Sequence, residues 1–267
     1  MTVLDFKKRK TENRKISMVT AYDFWTARII EKSPVDCVLV GDSVAMVVHG
    51  HPSTVSATNK MMALHTQSVA RAIRTKFLIA DMPFGSFRSG KRAAISNVDL
   101  LIKAGAQAVK LEGVWGHEAV IDHIVESGVP VVGHIGLTPQ SIHKFGGFKV
   151  QGKAEGAAKD LRKQATRLEE LGCCMVVLEC IPSELAAEIT TSLKVPTIGI
   201  GAGASTDGQV LVLQDLLGMN QDFKPKFLRH FMTGEKLFSE AIRQFHMSVI
   251  EGQYPLMKES YESDKSI

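Results

Sequence analysis

Short apolar runs alternate along the chain with stretches of helical periodicity, and this predicts an α/β fold, a (β/α)8 TIM barrel with extra N-terminal and C-terminal helices. Two further observations support that class. Most of the runs are rich in Val and Ile and five or six residues long, as strands buried on both faces of a parallel sheet are. The length, 267 residues, suits one such barrel.

The predicted strands are 16–20, 37–42, 77–81, 108–112, 129–134, 175–179, 195–200 and 210–215. Between most of them, helical periodicity covers 24–32, 59–74, 91–104, 117–127, 156–171 and 183–193. Gly105, Gly128, Pro130, Gly172 and Pro196 mark turns from a helix into the next strand. The last run, 210–215, also fits a helix. An open doubly wound sheet is the alternative, but no GxGxxG follows the first strand, and Gly199 to Gly203 comes late and matches poorly.

We read residues 1–267 as a single domain. Residues 1–15 are expected to cap the bottom of the barrel with a short helix. Residues 224–252 read as further helix, with Phe227, Phe231, Leu237, Phe238, Ile242, Phe245 and Val249 at helical spacing, for core or subunit packing. Residues 253–267 are expected to be a polar, frayed tail.

Composition excludes several classes. With 45% hydrophobic and 22% charged residues, disorder is not expected, and a chain this long buries a large core without disulfides. No apolar run approaches the roughly 20 residues of a membrane span. The N-terminus lacks a signal-peptide core. The four cysteines form no CxxC pair, and Cys37 and Cys180 fall in apolar runs, so reduced, mostly buried thiols in the cytoplasm are expected. The net charge is +4, but residues 7–15 alone carry six bases and one acid, leaving the rest at −1. The basicity is local, reads as a solvated helix face, and predicts no nucleic-acid partner.

Barrels of this class carry their active sites at the C-terminal ends of the strands. Asp42, Asp81, Glu112, His134 and Glu179 all end predicted strands. A single such residue is usually a cap or a solvated loop residue; five at equivalent positions point to one mouth. Lys110 and Glu112 lie two apart on one strand and face the same way, into the barrel, where unpaired charge is costly. A structural ion pair explains those two but not the other carboxylates, which repel one another without a cation. Asp42, Asp81 and Glu112 offer hard oxygen donors, which suit Mg2+ better than zinc. A 2-oxo acid chelates such an ion, and the ion stabilises the enolate formed when the adjacent carbon loses a proton. Ser43 is placed for the substrate carboxylate, and Glu179 or His134 for the base. The His49-Gly50-His51 loop is a weaker metal candidate. Residues 145–152 read as a lid or a tight turn, and 199–203 as a phosphate loop or a tight turn.

Across these residues the chain resembles the ketopantoate hydroxymethyltransferase (3-methyl-2-oxobutanoate hydroxymethyltransferase) family. The matching blocks are Thr20-Ala21-Tyr22-Asp23, Leu39-Val40-Gly41-Asp42-Ser43, Ala80-Asp81-Met82-Pro83-Phe84, Val109-Lys110-Leu111-Glu112-Gly113, residues 133–141, 145–152, 177–180 and 198–203. They span nearly the whole chain in the expected order. The resemblance implies a (β/α)8 barrel that moves a hydroxymethyl group from the co-substrate 5,10-methylenetetrahydrofolate to 3-methyl-2-oxobutanoate, giving 2-dehydropantoate on the route to pantothenate. It implies Asp42 and Asp81 as Mg2+ ligands, with Glu112 ligating directly or through water. It further implies Asp42, Ser43, Asp81, Lys110 and His134 around the substrate and Glu179 as the base at C3. The resemblance also implies a homo-oligomer, a decamer in this family. The chain departs from the family at Val114-Trp115 and over residues 87–95, positions that shape loops rather than the named residues.

Three rivals stand beside this reading. One is another Mg2+-enolate barrel of the isocitrate lyase or phosphoenolpyruvate mutase kind, whose cysteine or phosphonate loop motif is missing here. A second is a Schiff-base aldolase using Lys110. The third is an inactive barrel kept as a binding protein.

Overall fold

The structure, a computed structural model, describes residues 1–262. Eight parallel strands close into a barrel in chain order: β1 (Ile16–Thr20), β2 (Cys37–Val40), β3 (Phe77–Asp81), β4 (Ala108–Glu112), β5 (Val131–Gly136), β6 (Met175–Glu179), β7 (Thr197–Ile200) and β8 (Gly208–Leu211). Closure comes from β8 pairing with β1, Ile16 opposite Gly208 and Val19 opposite Leu211. Gly208 is needed at this seam, because a Cβ there would lie 2.4 Å from the Ile16 carbonyl oxygen. The strands β1, β3, β4 and β6 match the sequence reading, and the predicted barrel is the observed one.

The eighth strand is displaced. It begins at Gly208 and stops at Leu211, and the predicted end of the run instead turns into α10 (Leu213–Leu216). The Leu213 amide donates to the Thr20 hydroxyl at 3.0 Å, which draws the chain off the strand direction. β2 also ends early, so Asp42 and Ser43 lie in the turn beyond it.

Helices α1 (Val3–Thr11), α2 (Phe24–Glu31), α3 (Val44–Val47), α4 (Asn59–Ala70), α5 (Lys91–Lys103), α6 (Glu118–Glu126), α7 (Ile142–Phe145), α8 (Glu155–Glu170) and α9 (Ser183–Ser192) accompany the strands. Their apolar positions explain their docking: α8, for instance, buries Ala158, Leu161, Ala165 and Leu168, a 3–4 spacing that makes one stripe. Inside the barrel, Met18, Leu39, Ile79, Val132, Val177 and Ile198 form a continuous core with Phe6.

Phe6 belongs to α1, which opens with a capping box: the Thr2 side chain accepts from the Asp5 amide and the Asp5 carboxylate accepts from the Thr2 amide. The Phe6 ring meets Phe77 edge-on at 5.3 Å, at the start of β3. This is the expected bottom cap. The basic run is not simply solvated, however. Arg9 pairs with Asp36 at 2.7 Å and Lys10 with Asp207 at 2.7 Å, while Lys15 donates to the Thr206 carbonyl at 2.5 Å. Asp36 and Asp207 in turn accept from the amides of Ser17 and Thr197, at the starts of β1 and β7.

The described chain divides into two compact units, the first being Met1–Leu213. In the second, which starts at Gln214, the predicted 224–252 helix is shorter, α11 (Gly234–Ile250). Upstream, the amides of Phe231 and Gly234 bond to the carbonyls of Leu216 and Leu217, so this stretch turns instead of coiling. Of the expected tail, a 3-10 turn occupies Met257–Glu259, and residues 263–267 lie outside the described residues. No helix among the described residues is long and apolar enough to cross a membrane.

Removing the Phe6 ring empties part of the bottom core. Phe6→Ala is expected to lower unfolding free energy by about 3–5 kcal/mol in a urea titration; a loss under about 1 kcal/mol would show that α1 does not seal the barrel.

Candidate active site

Consecutive strands of the barrel bring their polar ends together. Asp81 closes β3, Lys110 and Glu112 lie on β4, His134 on β5, and Asp42 follows β2; all five are buried. Glu179, at the end of β6, stays partly accessible, with 17% of its side chain exposed. This difference separates a sealed charge cluster from a carboxylate that a substrate can reach.

Lys110 is the hub. Its ammonium lies 3.0 Å from Asp81 Oδ1, 4.0 Å from Glu112 Oε1 and 3.2 Å from His134 Nδ1. His134 sits between two carboxylates, with Nδ1 3.5 Å from Glu112 Oε1 and Nε2 3.2 Å from Glu179 Oε2. Asp81 Oδ2 accepts from the Asp42 amide at 3.0 Å, which fixes the turn after β2 against β3. Ser43 stands beside this turn, and its hydroxyl pairs with that of buried Tyr22 at 2.7 Å. Asp42, Ser43, Asp81, Lys110, Glu112, His134 and Glu179 therefore lie together at neighbouring strand ends.

Burial governs the electrostatics. It pushes the Asp42 carboxyl well above the usual carboxylate range, reinforced by Asp81 and Glu112 and only partly offset by Lys110 and Gln140. Asp81 is likewise raised, burial outweighing the Lys110 ammonium. Burial also works against Glu112, yet His134, Lys110 and the Gln140 amide together bring it below its ordinary value. For Lys110 the desolvation cost is outweighed by Asp81, Glu112 and Asp42, and its pKa rises. Burial and Lys110 disfavour charge on His134, but Glu112 and Glu179 prevail and lift its pKa to about 9.

The cluster is short of positive charge. Asp42 and Asp81 are both pushed toward the protonated form, and Asp81 Oδ1 and Glu112 Oε1 are buried without an aligned hydrogen bond. Asp81 Oδ1 has the Lys110 ammonium at 3.0 Å, so Glu112 Oε1 is the less satisfied of the two, and an under-neutralised set of buried carboxylate oxygens suits a hard divalent cation. Among the described residues no three His, Cys, Asp or Glu side chains already form a metal cage. A cation held by one or two carboxylates and completed by water and substrate does not need one, which is the habit of Mg2+.

Two features escaped the sequence reading. Gln140 is buried in this cluster and bonds Asp42, Glu112 and Met82, although its only local signal is the Thr138-Pro139 turn. Cys180, placed by sequence in a buried strand, falls just past β6 with φ 47°, a strained conformation for a residue with a Cβ. Opposite Glu179, Gly136 (φ +95°) lets β5 approach, since a Cβ there would be 2.2 Å from the Glu179 carbonyl.

The weaker candidates lie apart from the carboxylates. His49 faces His65, Nε2 to Nε2 at 2.8 Å, and His65 bonds the Tyr22 carbonyl. After α7 the glycine-rich segment runs outward with Phe148 and Val150 exposed, and Gln151 ties back to the Cys180 carbonyl at 2.8 Å. Gly203 packs against Ser183, where a Cβ would come within 2.6 Å.

A family model described as ketopantoate hydroxymethyltransferase matches residues 1–257. The chain is similar to 3-methyl-2-oxobutanoate hydroxymethyltransferase of Coxiella burnetii (strain CbuK_Q154), 55% identical across 96% of each chain. It is 52% identical to that of Bdellovibrio bacteriovorus, covering 97% of this chain and 99% of the other. The same figure holds for Legionella pneumophila subsp. pneumophila, 52% over 98% of this chain and all of the other, 100%. Among solved structures, phosphonopyruvate hydrolase with oxalate and Mg++ superposes with TM-score 0.66 at 12% identity, over 97% of this chain and 93% of that one. At that identity the likeness is one of fold.

His134 gives a pH signature. In metal-free protein its ring should titrate near pH 9 by NMR; a midpoint near the ordinary value of about 6.5 would contradict the paired geometry. Because the folded pKa is raised, the associated stabilisation is complete below about pH 6.5 and lost as pH rises through about 9.

Proposed function

The chain belongs to the ketopantoate hydroxymethyltransferase family and is an enzyme, and from that premise we propose that it transfers a hydroxymethyl group from 5,10-methylenetetrahydrofolate to 3-methyl-2-oxobutanoate. The product is 2-dehydropantoate, a precursor of pantothenate. The observation that carries this reading is an accessible carboxylate, Glu179, set 3.2 Å from His134 at the edge of a buried cluster of Asp42, Asp81, Lys110 and Glu112.

Glu179 takes the C3 proton of 3-methyl-2-oxobutanoate, and the electrons of the broken C–H bond form the enolate. His134, held by Glu112 on one side, steadies Glu179 on the other. Water cleaves both C–N bonds of the folate's methylene bridge, giving tetrahydrofolate, whose two nitrogens take up the protons, and a formaldehyde unit that carries the water oxygen. The enolate C3 then adds to that carbon, and the alkoxide formed takes back the proton held by Glu179 to become the hydroxyl. Lys110 and Ser43 orient the carboxylate and keto oxygens of the substrate, with Asp42, Asp81 and His134 completing the pocket. Asp42 and Asp81 would hold Mg2+, with Glu112 as a ligand directly or through water, and the ion supplies the positive charge that an enolate oxygen needs.

A Schiff base on Lys110 is disfavoured. That chemistry needs a free amine, whereas three carboxylates hold Lys110 as an ammonium. The isocitrate lyase and phosphoenolpyruvate mutase reading rests on fold alone, against relatives more than half identical over almost the full chain.

We also assign a homo-oligomer, a decamer by family resemblance. Exposed Leu237, Phe238, Ile242, Phe245 and Val249 on α11 support it, a face that copies of the chain would cover. The compartment we assign is the cytoplasm, a reading supported by four free cysteines. Nucleic acid is not a partner in this reading, since Arg9, Lys10 and Lys15 are engaged with the barrel.

Proton exchange at C3, followed by NMR in deuterated buffer with Mg2+ and no folate, isolates the first step. Exchange should occur, stop with EDTA, and fall at least about 100-fold in Glu179→Gln. Unchanged exchange in that variant would remove Glu179 as the base, and full activity without divalent metal would remove the cation. Borohydride with substrate should leave the enzyme active; covalent trapping on Lys110 would favour the aldolase.

A further inference from the structure

We propose that Gln140 is a positioning residue that sets the cation-facing geometry of Asp42 and Glu112. Nothing in its spacing from either residue suggests this; the barrel creates the contact.

Past the end of β5, Pro139 opens a 3-10 turn, Pro139–Ser141, whose preset φ brings Gln140 inward. Gln140 is 2% exposed. Its side-chain nitrogen lies 2.9 Å from Asp42 Oδ2 and 2.9 Å from the Met82 carbonyl. Its backbone amide donates to Glu112 Oε2 at 2.9 Å. The Met82 carbonyl can only accept, which sets the amide orientation; the flipped form would put oxygen against oxygen there. Met82 follows Asp81, and its own amide donates to the Lys110 carbonyl at 2.9 Å. One residue from the turn after β5 therefore ties together the ends of β2, β3 and β4.

The choice of oxygens gives this arrangement its meaning. Gln140 engages Oδ2 of Asp42 and Oε2 of Glu112, and the Asp42 amide engages Oδ2 of Asp81. Each carboxylate has one oxygen anchored by protein. The opposite oxygen of Asp81, Oδ1, faces the Lys110 ammonium at 3.0 Å, and that of Glu112, Oε1, is buried 3.5 Å from His134 Nδ1 and 4.0 Å from Lys110 without an aligned hydrogen bond. Anchoring one oxygen aims the other, as outer partners of metal ligands do. Without the amide, Asp42 has like-charged Asp81 and Glu112 for neighbours and is free to turn away. Mg2+ tolerates such loosening poorly, because it demands near-octahedral geometry, whereas Ca2+ accepts irregular sites.

This inference rests on the carboxylates being the cation site, and the experiment separates the two ideas. Mn2+ is titrated into the purified full-length protein and followed by electron paramagnetic resonance, with Mg2+ and Ca2+ as competitors. Gln140→Met keeps length and volume and loses the amide; Gln140→Asn keeps an amide that cannot reach, and serves if the first variant does not fold. Wild type should bind one Mn2+ per chain. The folded variant should bind it about 10–100-fold more weakly, with a smaller preference for Mg2+ over Ca2+. A merely structural role would lower the melting temperature and leave that preference alone. Mn2+ affinity within about twofold of wild type, with the preference unchanged, would overturn the role of Gln140 and leave the cation site standing. Absence of Mn2+ binding to wild type would overturn the cation site and this inference with it.

Discussion

Three carboxylates gathered around one buried ammonium are the constraint on which this molecule turns. A barrel closed in chain order sets the ends of β2, β3 and β4 side by side, so Asp42, Asp81 and Glu112 have to meet. Lys110 neutralises part of the charge, at 3.0 Å from Asp81, but it is one cation against three acids. Burial and mutual repulsion leave Asp42 and Asp81 raised, whereas Glu112, with His134 and Gln140 as partners, is lowered. Breaking such a buried set is more costly than its net contribution suggests, because each remaining charge is stranded.

The two ends of the barrel divide the work. At the bottom, charge is used for closure: Arg9 and Lys10 meet Asp36 and Asp207, which already hold the starts of β1 and β7, and Phe6 fills the core between. At the top, charge is left incompletely satisfied. Next to Glu179, Cys180 lies in the left-handed region and Gly136 packs against the Glu179 carbonyl. Strain beside an accessible carboxylate is stored where position matters most.

Much of this was legible in the sequence, for identifiable reasons. A buried parallel strand is a continuous apolar run, so β1, β3, β4 and β6 could be read to the residue, and a charge ending such a run marks the mouth. β8 was harder, because an apolar run also suits a helix; Gly208 and the Thr20 hydroxyl decide where strand stops and helix begins. The basic run looked solvated because its partners, Asp36 and Asp207, are distant in sequence. Gln140 was illegible for the same reason: a neutral side chain has no charge pattern, and its partners Asp42 and Glu112 lie 98 and 28 residues away.

The most direct test of the account is a crystal structure with Mg2+ and 3-methyl-2-oxobutanoate. The account predicts a cation about 2.0–2.1 Å from oxygens of Asp42 and Asp81, with C3 of the substrate facing Glu179. Absence of a cation among these carboxylates, with the substrate keto carbon bonded to Lys110 Nζ, would contradict it.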